Sequence, residues 1–288
     1  MTATIGIDSF TFHRFFGENT KWEEPSREKF VLRDFLNYAD SQKVSLVSLQ
    51  TVYLKQELNN FKEDIASWLA DQNHEVVLTW GHPNGFDGGK KPEMLFDALY
   101  FLQVAHELRL PQMRIVLGNH WNYEMPVQER LANLRPLVKS LLVAAEKFNI
   151  KLSIENHADL QATQVMSFVE EFNSSHLGLC LDLANALRVG ENPKQLLRDF
   201  NLSKVFMIQA KDVRIIEGHE QPTGWWPSHF FGLGDVGLDG CIEVLRQKKY
   251  QSPIVVEISN LFTGLDVHDV AGQAISFLDE RLNGDLTP

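Results

Sequence analysis

The sequence predicts a single (β/α)8 barrel that spans residues 1–288. Eight short apolar segments of strand composition alternate with eight helical segments, and this order is typical of a parallel sheet. The length of 288 residues is ordinary for one such barrel, and no linker or change in composition divides the chain. No G-x-G-x-x-G fingerprint follows the first apolar segment, which argues against a doubly wound dinucleotide-binding sheet.

The strand segments are rich in Leu and β-branched residues and are bounded by turn-forming residues. We predict strands at 4–8, 44–49, 75–80, 113–117, 151–155, 177–182, 205–209 and 253–257. The helical segments repeat apolar residues at intervals of three and four. We predict helices from Ser26, as the N-cap, to about Leu36, and at 54–71, 92–108, 126–149, 237–248 and 266–282. One short helix is expected in each of the two gaps between 155 and 205.

The connection from Asp212 to Asp235 is longer than the others and carries Trp225 and Trp226. A connection of this length inside a compact domain usually serves as a lid or a binding loop. We therefore expect this segment to contribute to the site.

The composition argues against several classes of function, although it does not exclude a local basic pocket. A net charge of −11 argues against nucleic-acid binding, which needs a basic face. The first residues lack a signal-peptide pattern, and no apolar run is long enough to span a membrane. Only two cysteines occur, Cys180 and Cys241, and buried free thiols are expected for both. These features predict a soluble, cytoplasmic protein.

Four successive strands end in an oxygen-bearing side chain: Glu155, Asp182, Gln209 and Glu257. In a barrel of this class the carboxyl ends of the strands converge on the active site. Carboxylates that converge there repel one another, and one divalent cation would neutralise them. An all-oxygen ligand set suits Mn²⁺ or Mg²⁺. The alternative is that each acid caps its loop or pairs with a lysine or arginine, as buried acids are rarely left unpaired.

Several short motifs make the chain resemble the xylose isomerase-like TIM-barrel superfamily, which includes sugar phosphate isomerases, epimerases and endonuclease IV-type proteins. The motifs are Ile-Glu-Asn-His at 154–157, Leu-Asp-Leu-Ala-Asn at 181–185, Gln-Ala-Lys-Asp at 209–212, Gly-Leu-Gly-Asp-Val at 232–236 and Val-Glu at 256–257. The resemblance covers most of the chain, and its specific motifs lie in the C-terminal half. It implies that Glu155, Asp182, Gln209 and Glu257 bind one divalent metal.

Two residues depart from the pattern of the epimerases. Gln209 stands where they have a histidine, although relatives resembling hydroxypyruvate isomerases and 3-dehydroshikimate dehydratases carry glutamine there. The amide oxygen is a competent hard ligand, so the metal preference shifts while the site is kept, with Zn²⁺ or Co²⁺ as alternatives to Mn²⁺ or Mg²⁺. Asn185 stands where several relatives have a histidine that touches substrate, which leaves the substrate open.

The chemistry expected of this site is proton transfer next to a carbonyl. A metal stabilises the enediolate that forms when the neighbouring carbon loses a proton, and Glu155 and Glu257 would remove and return that proton. The predicted function is therefore a metal-dependent sugar isomerase or epimerase of carbohydrate metabolism. If a β-hydroxyl leaves instead, the enzyme is a dehydratase of a keto-inositol or of 3-dehydroshikimate.

The predicted substrate is a small sugar or polyol without phosphate, because no basic residue follows the last strand. The loops after strands one and seven instead bring aromatic residues that suit the apolar side of an uncharged sugar, including Phe15, Trp22, Trp225 and Trp226. The alternative for His82, His120 and Trp225 is a packed loop residue, and for Lys211 a surface pair with Asp212. A homo-oligomer is compatible with the sequence. The candidate substrate contacts are His82, His120, His157, Asn185, Lys211 and Trp225.

Two rival functions receive less support from the sequence. An endonuclease IV-like phosphodiesterase would need a histidine-rich three-metal site and a basic groove, and neither is visible. A non-catalytic binding barrel would not need the three strand-end carboxylates, all of which are present.

Overall fold

The computed structural model describes residues 3–19, 23–55, 60–71, 73–122, 124–216 and 226–284. It confirms the (β/α)8 barrel: eight parallel strands follow one another in chain order, and β8 pairs with β1 to close the sheet. The strands are β1 (Ile5–Asp8), β2 (Leu46–Gln50), β3 (Glu75–Trp80), β4 (Gln112–Ile115), β5 (Lys151–Glu155), β6 (Leu177–Asp182), β7 (Val205–Ala210) and β8 (Ile254–Val256).

Helices follow the strands and cover the outside of the barrel. Within the described ranges they are α1 (Leu32–Ser41), α2 (Thr51–Leu54), α3 (Phe61–Trp68), α4 (Met94–Glu107), α5 (Val127–Phe148), α6 (Ala162–Glu171), α7 (Leu183–Arg188), α8 (Pro193–Asp199), α9 (Leu238–Gln247) and α10 (Val267–Leu282). None of these helices combines the length and the apolar composition that a membrane span requires.

Three helix predictions were wrong in detail. The first helix begins at Leu32 rather than after Ser26, because the carboxylate of Asp34 accepts the backbone N–H of Val31 at 2.9 Å and fixes the first turn there. The helix predicted over 54–71 is represented by α2 and α3, with 56–59 outside the described residues. Two helices, α7 and α8, occupy the gap before β7, where one was expected. Asn192 caps α8 by accepting the N–H of Gln195, and this starts the second helix.

The core has two layers. The main layer lies between the strands and the surrounding helices. A small second cluster fills the lower part of the barrel interior and consists of Leu46, Val77, Cys180, Met207 and Val255. Space there is tight, since a Cβ atom on the neighbouring Gly6 would lie 2.1 Å from the Leu46 side chain. The predicted buried thiols of Cys180 and Cys241 are both confirmed.

The upper part of the barrel interior is polar. Side chains alternate along a strand between the interior and the helical layer, so the inward-facing positions continue upwards from the small apolar cluster. On β6 the residue above Cys180 is Asp182, on β7 the residue above Met207 is Gln209, and directly after β8 comes Glu257. The barrel therefore places a group of buried polar side chains at its carboxyl end.

Candidate metal and substrate site

The strand-end residues predicted as metal ligands meet at this carboxyl end. In the register of the sheet, Asp182 on β6 lies opposite Gln209 on β7. Glu155 on β5 lies opposite Cys180, which is two residues before Asp182 on β6. Glu155, Asp182, Gln209 and Glu257 are all buried, with at most 5% of each residue exposed. Their burial means that each negative charge must be balanced by a cation or by hydrogen bonds.

Lys211 supplies one of these balancing charges. Its ammonium lies 2.5 Å from Glu257 Oε1 and 3.2 Å from Asp182 Oδ2, and only 2% of the residue is exposed. Gln209 Nε2 donates a hydrogen bond to the other oxygen of Glu257. The alternative of a surface Lys211 paired with Asp212 is therefore wrong, because the side chain points into the barrel.

The mutual attraction shifts the pKa values of Lys211 and Glu257 in opposite directions. Burial lowers the pKa of Lys211, but Asp182 and Glu257 outweigh it and leave the pKa above its ordinary value. Burial likewise raises the pKa of Glu257, yet Lys211 and Arg114 more than compensate, so the pKa is lowered overall. Both groups are consequently charged at neutral pH.

Arg114 supplies the second balancing charge, and it was missed in the sequence. It lies on β4, it is 2% exposed, and its Nη1 donates to Glu155 Oε2. Asn185 Nδ2 donates to the other oxygen of Glu155 at 3.1 Å. Burial raises the pKa of Glu155 to about 8, against the opposing effect of Arg114. A charged residue in the middle of a buried strand was the signal that could have identified Arg114.

Asp8, at the end of β1, completes the ring of acids. It accepts hydrogen bonds from Ser48 Oγ at 2.5 Å, from Gln50 Nε2 at 3.2 Å and from the N–H of Phe10 at 2.8 Å. Burial, together with the nearby charge of Glu257, raises the pKa of Asp8 to about 6. Asp8 is thus held by neutral donors on β2 and in the turn after β1 rather than by an ion pair.

Three candidate histidines occupy the loops above β3, β4 and β5. His157 is buried, and its Nδ1 donates to the carbonyl oxygen of Gly118 at 3.1 Å. Burial, with the positive charges of the site, lowers the pKa of His157 well below its ordinary value, so the ring is neutral. The ring of His82 lies 6.4 Å from that of His157, and its Nε2 is 2.7 Å from Glu18 Oε1. Burial lowers the pKa of His120, and the positive charge of Arg188 lowers it further.

Asn185 connects the acids to a further arginine. Its backbone N–H donates to Asp182 Oδ1 at 2.7 Å, so Asp182 also caps α7. Its side-chain oxygen accepts a hydrogen bond from Arg188 Nη1 at 2.7 Å. Burial lowers the pKa of Arg188 to about 10. Arg188 was not identified in the sequence, where nothing distinguishes it from an ordinary arginine at a helix end.

The predicted aromatic contacts are only partly placed. Trp225, like Trp22, lies outside the described residues. Trp226 is half-buried, and its carbonyl oxygen accepts from Arg188 Nη2 at 3.5 Å. Phe15 does not face the site: it is buried in the core, and its ring packs edge-on against Phe30.

The glycine-rich turn at 232–236 donates backbone hydrogen bonds to the buried carboxylate of Asp212. Asp212 Oδ2 accepts the backbone N–H groups of Gly232 at 2.9 Å and Gly234 at 3.1 Å. A Cβ atom at Gly234 would lie 2.1 Å from Asp212 Oδ1, so this position needs a glycine. The turn therefore fixes the start of the long loop after β7, directly beside Lys211.

The donor set fits a hard divalent cation in its chemistry: three carboxylates and one amide oxygen. Asp182 Oδ2 is a buried carboxylate oxygen that accepts no hydrogen bond from the described residues. Asp182 Oδ2 and Glu257 Oε1 both contact the ammonium of Lys211. The contact of Asp182, at 3.2 Å, is an ion pair without the alignment of a hydrogen bond. No three His, Cys, Asp or Glu side chains of the described ranges converge as a ready metal cluster. The reason is that Arg114 holds Glu155, and Lys211 stands between the other two acids.

Comparison with known proteins identifies the family. The model of the xylose isomerase-like TIM barrel family matches residues 2–281. The chain belongs to this family, as its sequence motifs had indicated.

Two curated relatives match part of the chain. One is a 3-oxo-isoapionate decarboxylase of Pectobacterium atrosepticum, 24% identical over 125 residues that cover 42% of this chain and 44% of the relative. The other is an inosose isomerase of Halalkalibacterium halodurans, 25% identical over 126 residues that cover 40% of this chain and 41% of the relative. The matches thus span less than half the length of either relative.

Solved structures show the same fold over the whole chain. The IOLI protein, in a structure with a bound zinc atom, has a TM-score of 0.74 and 16% identity, and all of both chains is covered. An L-ribulose 3-epimerase has a TM-score of 0.75 and 16% identity, with 97% of this chain and 94% of the other covered. At this level of identity the likeness establishes the fold.

Proposed function

We propose that the protein is a divalent-metal-dependent isomerase or epimerase of a ketose, a polyol-derived ketone or a related hydroxy-keto compound. The observation that carries the proposal is a group of four buried side chains at the carboxyl ends of the consecutive strands β5 to β8. They are Glu155, Asp182, Gln209 and Glu257. The isomerase and epimerase activities of the named relatives support this class of reaction.

These four side chains would hold the metal, for which Mn²⁺ and Mg²⁺ suit the oxygen donors and Zn²⁺ or Co²⁺ are alternatives. The zinc atom in the IOLI structure supports a metal in this fold. When bound, the metal supplies electrophilic stabilisation of negative charge that develops on substrate oxygens. Gln209 would take part through its amide oxygen, because the amide nitrogen cannot act as a ligand.

Glu155 and Glu257 are the proposed acid–base pair. They stand at the ends of β5 and directly after β8, three strands apart in a ring of eight, so they face a bound substrate from different sides. One removes a proton from the carbon next to the carbonyl and the other returns it. Return to the opposite face of that carbon gives epimerisation. Return to the neighbouring carbon gives aldose–ketose isomerisation.

The remaining polar side chains would orient the substrate. His157, neutral and fixed by Gly118, and His82, fixed by Glu18, offer ring nitrogens at the mouth of the barrel. Asn185 on α7 and Lys211 directly after β7 reach the same region. His120 and Trp225 remain proposed contacts of the same kind. The substrate would therefore be a small polyhydroxylated molecule that offers several oxygens.

A second candidate is a lyase reaction through an enolate at the same site: loss of CO₂ would form the enolate, which is then protonated, whereas in a dehydration the enolate forms by proton loss and then expels a β-hydroxyl group. The decarboxylase among the relatives favours loss of CO₂ from a 3-oxo acid. A probable 3-dehydroshikimate dehydratase from Bacillus anthracis shares the fold and favours loss of water. The buried positive charge of Lys211 and the partly buried one of Arg188 would suit a substrate that carries a carboxylate. The buried free thiols are compatible with carbohydrate metabolism in the cytoplasm.

Solvent-proton exchange tests the proposal. The metal-loaded protein is incubated in D₂O with ketoses, keto-inositols and 3-dehydroshikimate, and deuterium uptake, CO₂ release and water loss are followed by NMR and mass spectrometry. Glu257→Gln should lower the exchange rate by about 10²–10⁴-fold, the range for a lost acid–base group. Glu63→Gln, on the exposed face of α3, is the matched control. Equal rates for wild type and Glu257→Gln would place the base elsewhere, and no exchange with any substrate would reject the function.

A further inference from the structure

Lys211 occupies an unusual place among the proposed metal ligands. It follows Gln209 by two residues and therefore faces the barrel interior as Gln209 does. Its ammonium contacts Glu257 and Asp182 together, at 2.5 and 3.2 Å. Among the cationic side chains of the described residues, Lys211 is the one in ion-pair contact with two of the proposed ligands. Arg114 contacts Glu155 alone.

The atoms that Lys211 uses are the atoms that a metal would need. Glu257 Oε1 is held by the ammonium, and Asp182 Oδ2 faces it without another hydrogen bond from the described residues. A divalent cation and an ammonium cannot both contact the same two buried oxygens, because like charges repel strongly where little water screens them. Either the metal or Lys211 can balance this pair of acids.

We propose that Lys211 is a built-in competitor of the metal, and that metal binding displaces its ammonium from Asp182 and Glu257 towards the barrel mouth. In the metal-free protein Lys211 keeps two buried acids neutralised. After displacement the ammonium is free to contact a substrate oxygen. Metal loading would thus prepare the substrate site as well as the electrophile. This inference rests on the metal-binding part of the proposed function.

Metal affinity of a lysine variant tests the competition. Lys211→Met keeps most of the length of the side chain and removes its charge. Mn²⁺ binding to the chelator-treated full-length protein is measured by isothermal titration calorimetry and by the EPR signal of free Mn²⁺. The variant should bind Mn²⁺ roughly tenfold or more tightly than wild type, since the competing buried charge is gone. Binding only in the variant would also support competition. Equal or weaker binding by a folded variant would overturn the proposal.

Lys62→Met is the matched control. Lys62 pairs with Glu107 at 2.7 Å, but this pair lies on the outer helices α3 and α4, away from the proposed ligands. Its loss should leave the Mn²⁺ affinity unchanged. A gain in affinity as large as that of Lys211→Met would show that general charge, and not competition at the site, is responsible.

The wild-type protein allows a second test that does not depend on the folding of a variant. Acetylation by N-hydroxysuccinimidyl acetate is followed by mass spectrometry of the peptide that contains Lys211, with exposed Lys139 on α5 as the internal reference. Lys211 is 2% exposed and should be protected without metal. Saturating Mn²⁺ should raise its relative modification several-fold. Continued protection under saturating metal would overturn the displacement.

The two proposals fail in distinguishable ways. A protein that binds Mn²⁺ with Lys211 still protected would reject the competition and leave the isomerase proposal intact. A protein that shows the competition but no solvent exchange with any substrate would reject the reaction and keep the metal site. Absence of Mn²⁺ binding in both wild type and Lys211→Met would reject both.

Discussion

Replacing Asp159 with asparagine should stabilise the protein at neutral and alkaline pH. Asp159 lies in the loop after β5, close to His157, and is 2% exposed. The described residues donate no well-formed hydrogen bond to either carboxylate oxygen, although the N–H groups of Asp159 and Leu160 point towards them. The nearest cation is Arg130, whose Nη1 lies 4.0 Å from Oδ2 and donates to the backbone oxygen of Asp159 instead.

Burial, opposed by Arg130, raises the pKa of Asp159 from 3.8 to about 6. The protonated form is therefore favoured by the fold. Protonation of Asp159 stabilises the folded state fully below about pH 4. This stabilisation is lost as the pH rises through 6, because the folded state binds the proton more tightly than the unfolded state does. The pKa values of Asp159 in the folded and unfolded states differ by about two, and a difference of one corresponds to about 1.4 kcal/mol. Ionised Asp159 should thus cost about 3 kcal/mol of folding free energy above pH 7.

The assay is urea unfolding of wild type and Asp159→Asn between pH 4 and 8. Other buried acids also titrate in this window, so the difference between the two proteins isolates Asp159. That difference should be small at pH 4 and grow towards about 3 kcal/mol at pH 8 in favour of the variant. Asp279→Asn, at an exposed position of α10, should show no such trend. A variant less stable than wild type at pH 8 would mean that the ionised carboxylate is stabilising, and the reasoning would be refuted.

Two further predictions concern the ligands of the site. Asp182→Asn should weaken Mn²⁺ binding by more than the roughly 10–100-fold typical of losing a supporting outer group, because a ligand charge is lost while the cap of α7 is kept. Calorimetry would measure it against exposed Asp199→Asn, and unchanged affinity would remove Asp182 from the ligand set. A free sugar should also be preferred over its phosphate ester, because residues 257–266 after β8 carry no lysine or arginine and Arg214 is exposed beside Asp235. Comparison of kcat/KM for one matched pair decides this, and a preference for the phosphate ester would reverse the substrate proposal.

Local patterns in the sequence determined the barrel. Strand segments such as 151–155 and 177–182 are apolar, short and followed by turn residues, and these features act within a few neighbouring residues. Once eight such segments alternate with helices, closure into a parallel barrel places every strand end on one face. The meeting of Glu155, Asp182 and Glu257 at that face could therefore be anticipated. Helix boundaries were less certain, since a single carboxylate such as Asp34 moved one by several residues.

The tertiary structure decided which charges pair. Arg114 and Glu155 are 41 residues apart, and Lys211 and Glu257 are 46 apart. These contacts depend on the register of neighbouring strands and on barrel closure, which no short stretch of sequence specifies. The sequence could indicate that acids converge, but only the packed barrel shows which cation each one holds. The physical reason is that buried charges are balanced by whatever lies nearest in space, and closure of the barrel sets that distance.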